Sequence, residues 1–148
     1  MAGLRTSKYI VTDVKTDLKL PSHRSEAERT MDGTGGMPTR VMWLDSDVVS
    51  GAFYSECVWI WPHCASERPA AGEHAHPFEE VITFFGTNFE DPHDLCGEVE
   101  LWLDGEKHVM TRSFLAYIPA GMKHCPLIVR RVDRPIFHFT VGPGQQYA

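Results

Sequence analysis

The sequence lacks the features that mark a membrane protein or a nucleic-acid-binding protein. No stretch reaches the roughly 18 uninterrupted apolar residues of a membrane-spanning helix, and the N-terminus has no apolar segment followed by a small-residue cleavage site. Basic residues are also few, because 14 Lys and Arg stand against 20 Asp and Glu and leave a formal net charge of −6. Such a surface repels phosphate backbones and anionic lipids. We therefore expect a cytoplasmic protein that binds neither nucleic acid nor membranes.

The four cysteines include no Cys-x-x-Cys pair, which excludes a zinc ribbon and a thioredoxin-like motif. In the cytoplasm we expect them to be reduced thiols. Histidine is the more suggestive residue type, because the chain has eight histidines and seven of them lie after residue 60. A length of 148 residues corresponds to one domain, which is large enough to fold without a metal or a disulfide.

The pattern of residues along the chain predicts an all-β domain. Short runs of aromatic and β-branched residues alternate with Pro and Gly, and no segment shows a sustained helical period. The predicted strands are residues 8–12, 39–44, 52–61, 78–85, 97–110, 114–118, 125–129 and 135–141. Residues 21–38 are predicted to form a loop with one helical turn at 26–31, and residues 142–148 a mobile tail. Many short strands of this kind are typical of a sandwich, a jelly roll or a closed barrel.

The clearest local signal is a hairpin within residues 97–110. Alternating residues flank Asp104-Gly105, a pair that favours the two-residue turn of a β-hairpin. Val99, Leu101 and Leu103 are then predicted to share one face of the sheet.

A candidate metal site lies in residues 73–80, which read Glu-His-Ala-His-Pro-Phe-Glu-Glu. On a strand, alternate side chains share a face, so His74 and His76 can present two imidazoles to one point. Borderline metals such as Zn, Fe, Mn, Ni and Cu accept two such nitrogens readily. Glu80 can approach the pair once the chain bends near Pro77. By itself the His-x-His pattern is weak evidence for a metal.

A second segment, residues 117–126, strengthens this interpretation. A strand stops at Pro119, the chain turns at Gly121, and His124 follows where a neighbouring strand can bring it to the first pair. The two segments together resemble the cupin family. Cupins carry His-x-His, three or four residues, Glu, six residues and Gly, and later Pro-x-Gly, two residues and His. The first motif matches at His74, His76 and Glu80, and the second at Pro119, Gly121 and His124.

The resemblance covers residues 52–141 and implies a cupin-type double-stranded β-helix, a jelly-roll barrel, within one domain spanning residues 1–148. It implies that His74, His76, Glu80 and His124 bind one divalent transition metal inside the barrel. Residues 1–40 are expected to form an N-terminal arm and loop. The resemblance also implies a homodimer, formed by pairing sheets or by exchanging an N-terminal strand, with residues 1–20 as the arm.

The sequence departs from the family pattern at three places. Ser113 and Ile128 replace a structural glycine and asparagine of the second motif. After Glu80, the strand-like sequence resumes only at Gly97, which we interpret as an inserted loop at 86–96, exceptional in length for a β connection. We hypothesise that this loop is a lid. The acidic residues of this loop and His93 could form a second metal cluster, but we expect them to be solvated loop residues.

Several further residues are weaker candidates for the site. Glu79 could replace Glu80 as the ligand, but adjacent side chains on a strand point in opposite directions, and the family spacing favours Glu80. By the same rule Cys125 is expected to face away from the metal as a core thiol. Histidines expected to be structural, or to orient a ligand, are His63, His108 and His138. Arginines that could hold a substrate carboxylate bidentately are Arg40, Arg68 and Arg112.

A site of three imidazoles and one carboxylate leaves coordination positions open for a small-molecule substrate. A redox-active ion there supports oxygenase-like oxidation, and a redox-inert ion supports isomerisation, decarboxylation or lyase chemistry. The ligand set does not decide between these. We predict a metal-dependent enzyme, with a dioxygenase-like oxidoreductase ahead of an isomerase, decarboxylase or lyase. A non-catalytic cupin that binds a small molecule is the alternative from another class, and no catalytic residue is assigned.

Overall fold

The computed structural model describes residues 4–21, 24 and 26–144. Within this part of the chain there are eight strands: β1 Thr39–Leu44, β2 Tyr54–Ile60, β3 Glu80–Phe85, β4 Asp94–Leu103, β5 Glu106–Arg112, β6 Phe114–Ile118, β7 His124–Val132 and β8 Ile136–Gly142. Short 3₁₀ helices lie at Ser7–Tyr9, Glu26–Arg29 and Pro62–Cys64. None of the described helices is long and apolar enough to cross a membrane.

The strands form two antiparallel sheets. The first has five strands in the order β1-β2-β8-β3-β6, and the second has three in the order β5-β4-β7. One hydrophobic core joins them, because Val58 and Phe84 of the first sheet belong to the same buried cluster as Val99, Leu101 and Val129 of the second. This is the predicted all-β jelly roll.

The hairpin between β4 and β5 forms as predicted. Asp104 and Gly105 have φ angles of 49° and 80°, the left-handed conformation that this two-residue turn requires. Leu103 pairs with Glu106 directly across it. Val99 and Leu101 are fully buried and Leu103 packs against the same core, so the predicted alternation places these three side chains correctly.

Three predictions of local structure were wrong. Residues 8–12 form no strand, because Tyr9 and Ile10 are largely exposed and the chain makes a 3₁₀ turn at Ser7–Tyr9 instead. Gly142 belongs to β8 rather than to a mobile tail, and residues 145–148 lie outside the described part. The loop predicted at 86–96 ends at residue 93, because β4 begins at Asp94 and buries Leu95 completely.

The N-terminal arm packs against its own chain. Leu18 is 1% exposed and lies in a small buried cluster with Trp43 of β1 and Tyr54 of β2. The helical turn predicted at 26–31 forms as the 3₁₀ helix Glu26–Arg29. Met31 then enters the main core, so this arm closes one side of the barrel.

The segment that precedes β3 follows the outer edge of β7. The backbone N–H of Leu127 donates to the carbonyl of Ala71 at 3.1 Å, and His74 and His124 exchange two backbone hydrogen bonds at 3.0 and 2.9 Å. This edge pairing brings the two sequence motifs together.

Candidate metal centre

Three imidazole rings meet where the two motifs pair. His74 lies opposite His124 in an isolated antiparallel bridge, and their ring centroids are 4.3 Å apart. The ring of His76 lies 4.8 Å from that of His124 and stacks on Phe78 at 4.0 Å. His76 and His124 are buried, whereas His74 is half-buried.

Each ring is oriented by a hydrogen bond to a nearby carbonyl. The Nδ1–H groups donate from His74 to Gly72 at 2.7 Å, from His76 to Phe78 at 2.8 Å and from His124 to Met122 at 2.9 Å. A carbonyl oxygen only accepts hydrogen bonds, so in each ring the proton sits on Nδ1. In a neutral ring, Nε2 then keeps its lone pair. A metal-binding histidine needs this tautomer, and a carbonyl partner is the usual way to impose it.

The three histidines place one potential ligand atom each within 4.8 Å of the others. Oε1 of Glu80 lies 3.2 Å from Nε2 of both His76 and His124. Two ligands at right angles around an ion, each bonded at about 2.1 Å, are separated by about 3.0 Å. The separations around Glu80 therefore fit a single divalent ion of the first transition series.

The pKa shifts of Glu80 and His74 favour the forms that bind a metal, whereas the shift of His76 favours its protonated form. Burial raises the pKa of Glu80, but the hydrogen bonds and charges of His124 and His76 outweigh it and lower that pKa to about 2. Burial lowers the pKa of His74, which favours its neutral form. Burial also lowers the pKa of His76, but its hydrogen bonds to Glu80 and Phe78 outweigh it and raise that pKa overall. Metal binding at His76 would therefore compete with protonation of its ring.

The centre opens into a cavity of about 590 Å³ inside the barrel. Its lining includes His74, Glu80 and His124 together with apolar side chains of both sheets, namely Val58, Ile60, Ile82, Phe84, Leu127 and Val129. This volume lies in the range of sites for small molecules.

The structure places the weaker candidates in different surroundings. Glu79 is exposed and accepts a hydrogen bond from the Tyr117 hydroxyl at 3.3 Å. His93 is exposed in the loop after β3, whereas Glu80 begins that strand, so strand β3 separates the two. No residue of 86–96 lines the described cavity, and this position gives the lid hypothesis no support.

Cys125 is a core thiol as predicted, because it belongs to the main buried cluster, but it does not face away from the cavity. Cys125 is 3% exposed and lines the cavity, as its neighbour His124 does. Its φ of 72° interrupts the alternation that a regular strand would impose. Burial raises the pKa of this thiol to about 12, so it is a neutral wall of the cavity.

The other candidate histidines and arginines also lie in different parts of the structure. His138 lines the cavity, donates Nδ1–H to the Thr83 carbonyl at 2.8 Å and has a pKa lowered by burial. His63 lies at the exposed rim, and His108 is exposed on β5. The three candidate arginines occupy different positions. Arg40 is buried against Glu56, Arg68 lines the cavity, and Arg112 is exposed at the end of β5.

Sequence reasoning missed a charged cluster at the inner part of the cavity. Arg24, Tyr54, Glu56 and Thr140 line it. The hydroxyl of Tyr54 donates to Glu56 at 3.0 Å and lies 2.9 Å from the hydroxyl of Thr140. Alternation along β2 and β8 could have placed these side chains inside, since they share a face with the buried Val58 and Ile136.

No protein-family model and no curated protein matches the sequence. Among solved structures, an oxalate oxidase in complex with glycolate is similar over 99% of this chain and 64% of its own, with 14% identity and a TM-score of 0.54. A cupin described as RmlC-like from Shewanella frigidimarina matches over 87% of this chain and 97% of its own, with 18% identity and a TM-score of 0.44. The DMSP lyase DddQ from Ruegeria pomeroyi matches over 66% of this chain and 41% of its own, with 20% identity and a TM-score of 0.41.

The chain thus spans less than two thirds of the oxalate oxidase and of the lyase. At these identities the similarities show the fold alone, which is the jelly-roll barrel that the two motifs predicted.

Proposed function

We propose that this chain, which has the cupin fold, is a mononuclear metal-dependent enzyme that acts on a small carboxylate-bearing molecule by oxygenase-like oxidation. The observation that carries the proposal is the set of three histidines whose Nδ1–H groups are all bound to carbonyls while Glu80 lies 3.2 Å from two of the Nε2 atoms. Purely structural histidines have no need to converge on one point. The adjoining cavity supplies space for a substrate beside the ligands.

His74, His76, Glu80 and His124 would hold the ion. A redox-active divalent ion there would supply the electrons for reaction with oxygen and a Lewis acid for the substrate. The chain's own residues orient the ligands through the carbonyls of Gly72, Phe78 and Met122. The apolar walls exclude water from the bound substrate and so strengthen the polar interactions within the cavity.

Metal analysis tests the first half of the proposal. Protein purified without a nickel column should contain about one transition-metal ion per chain, and His124→Ala should lose most of it, because removing a ligand weakens binding strongly. His108→Ala is the matched control, since His108 is exposed on β5. Full metal content in the His124 variant would refute the ligand assignment, provided that circular dichroism shows both variants folded.

Oxygen consumption tests the second half. The metal-loaded protein should consume oxygen with at least one small carboxylate. Glycolate is a reasonable first choice, because an oxalate oxidase of similar fold is known in complex with it. Product formed without oxygen consumption would favour the isomerase, decarboxylase or lyase alternative. Saturable binding without any product would favour a non-catalytic binding protein.

We further propose that the protein is a homodimer that pairs its five-stranded sheets. The outer face of this sheet is rich in large apolar side chains: Trp59 packs on Phe137 at 4.9 Å, and Phe85, Leu115 and Tyr117 are each more than a third exposed. Light scattering at micromolar concentration should give twice the chain mass, and Leu115→Glu should lower it. A monomeric wild-type protein would refute this.

A further inference from the structure

Arg68 lies on the segment that connects β2 to the first histidine motif. Backbone hydrogen bonds tie this segment to β7 on both sides of Arg68, from the N–H of Ser66 to the Val129 carbonyl at 2.9 Å and from the N–H of Ala70 to the Leu127 carbonyl at 2.6 Å. The N–H of Arg68 itself donates to the Ser66 hydroxyl at 3.0 Å. The backbone that carries Arg68 is therefore held in place beside the cavity.

Arg68 is one of the residues that line the cavity, and its exposure to solvent places it at the rim. Its neighbour Glu67 acts electrostatically on Arg130, a residue that does not line the cavity. Glu67 itself does not line the cavity, so the lining has the positive charge of Arg68 without the adjacent negative charge.

The other arginine of the cavity is already neutralised. Arg24 donates to both carboxylate oxygens of Glu56 at 3.2 Å and is also bonded to Glu28. In contrast, the guanidinium of Arg68 makes no hydrogen bond or ion pair with any other residue in the described part of the chain. Arg68 thus brings to the rim a solvent-exposed guanidinium that no other described side chain binds.

Each carboxylate that lines the cavity already has another partner, so none of them pairs with Arg68. Glu56 and Glu28 bind Arg24, and Glu80 faces the histidines of the metal centre. A ligand with one negative charge would balance Arg68, whereas a ligand with several would face the nearby carboxylates as well. A planar carboxylate also fits the two parallel donors of a guanidinium.

We infer that Arg68 binds the carboxylate of a monocarboxylate substrate at the mouth of the cavity, away from the metal ligands. This rests on the function proposed above and names the substrate class for the same site. The segment around Arg68 lies opposite residue 128, four residues along β7 from His124. Four residues of a regular strand span roughly 13 Å, and the irregular backbone at Cys125 makes this stretch shorter. The apolar walls between these two points accommodate a hydrocarbon body, with the reacting end of the substrate at the histidines.

Binding of paired probes tests the inference without metal or turnover. Straight-chain and phenyl-substituted monocarboxylates, each measured beside its primary amide, are titrated into chelator-treated protein by calorimetry. Wild-type protein should bind at least one carboxylate about tenfold more tightly than its amide, because the charge-assisted hydrogen bonds are lost in the amide. Arg68→Gln should reduce that ratio to near one, and Arg68→Lys should retain part of it.

Arg112→Gln is the matched control, because Arg112 is an exposed arginine that does not line the cavity. It should keep the wild-type ratio. If no carboxylate in the set binds more tightly than its amide, or if Arg68→Gln keeps the preference, the inference is overturned. Loss of the preference in Arg68→Gln in a protein that holds no metal would support the carboxylate site while refuting the metal enzyme. Full metal content without any preference for a carboxylate over its amide would support the metal site while refuting the carboxylate site at Arg68.

Discussion

Replacing Glu56 by glutamine removes the negative charge that two buried arginines share. Glu56 is 4% exposed and accepts hydrogen bonds from Arg40 at 2.7 Å and from Arg24 at 3.2 Å. Breaking a buried ion pair from one side costs about 3–5 kcal/mol, because the remaining charge has lost its compensation. Glu28 stays beside Arg24. We therefore expect Glu56→Gln to lower the free energy of unfolding at pH 7 by about 3 kcal/mol, at the lower end of this range.

The carboxylate of Glu56 also makes the free energy of unfolding depend on pH. Burial raises the pKa of Glu56, but the charges of Arg24 and Arg40 outweigh it and lower that pKa from 4.5 to about 2. A group with a lowered folded-state pKa contributes its full stabilisation above its unfolded pKa, here 4.5, and loses it as the pH falls toward 2. At pH 3 the wild-type protein should have lost about 2 kcal/mol through this one group.

Urea unfolding of chelator-treated protein, followed by tryptophan fluorescence at pH 7 and pH 3, measures both effects. Glu80 also has a pKa lowered to about 2, so the difference between wild type and Glu56→Gln isolates Glu56. Glu90→Gln, in an exposed loop, is the control and should behave as wild type. The reasoning fails if Glu56→Gln is destabilised by less than about 1 kcal/mol at pH 7, or if it retains the full wild-type loss between pH 7 and pH 3.

Two further predictions concern the core and the loop after β3. Phe84→Ala should destabilise the protein by about 3–5 kcal/mol, since this fully buried ring leaves a cavity; Phe89→Ala, at a position that is 89% exposed, should change urea stability by less than about 0.5 kcal/mol. Equal effects would contradict the core assignment. Gly86→Ala should lower the melting temperature, because the added Cβ would lie 1.9 Å from the Asp94 carbonyl and force the backbone to shift. Gly72→Ala meets no atom within 4 Å and serves as its control. Equal melting temperatures would contradict the close approach of Gly86 to the Asp94 backbone.

Local sequence patterns predicted most of the strands, because turn preference and alternation depend on only a few neighbouring residues. The hairpin at Asp104-Gly105 followed from the turn preference of that pair, and β6 has the predicted bounds Phe114–Ile118. The same rules failed at residues 8–12, where Tyr9 and Ile10 have apolar side chains but no partner strand to pair with. Apolar composition predicts a strand only where a neighbouring strand can satisfy its backbone.

Strand alternation also has a limit inside the site. It separated Glu79, which is exposed, from Glu80, which faces the histidines. It failed at Cys125, where a left-handed backbone turns two adjacent side chains into the same cavity. A single residue with positive φ is enough to interrupt the alternation of side chains along a strand. The side-chain pattern around Cys125 does not predict this conformation.

The amino-acid sequence alone predicted the β architecture, because turn preferences and alternation are local properties, and it identified four candidate metal ligands through the resemblance to the cupin motifs. Only the tertiary structure decided which arginine faces the cavity. Arg40, Arg68 and Arg112 are chemically identical in the sequence, but one is neutralised by Glu56, one lies at the mouth and one is remote. The charge that an arginine offers to a ligand depends on the carboxylates that folding brings beside it, and those come from distant parts of the chain.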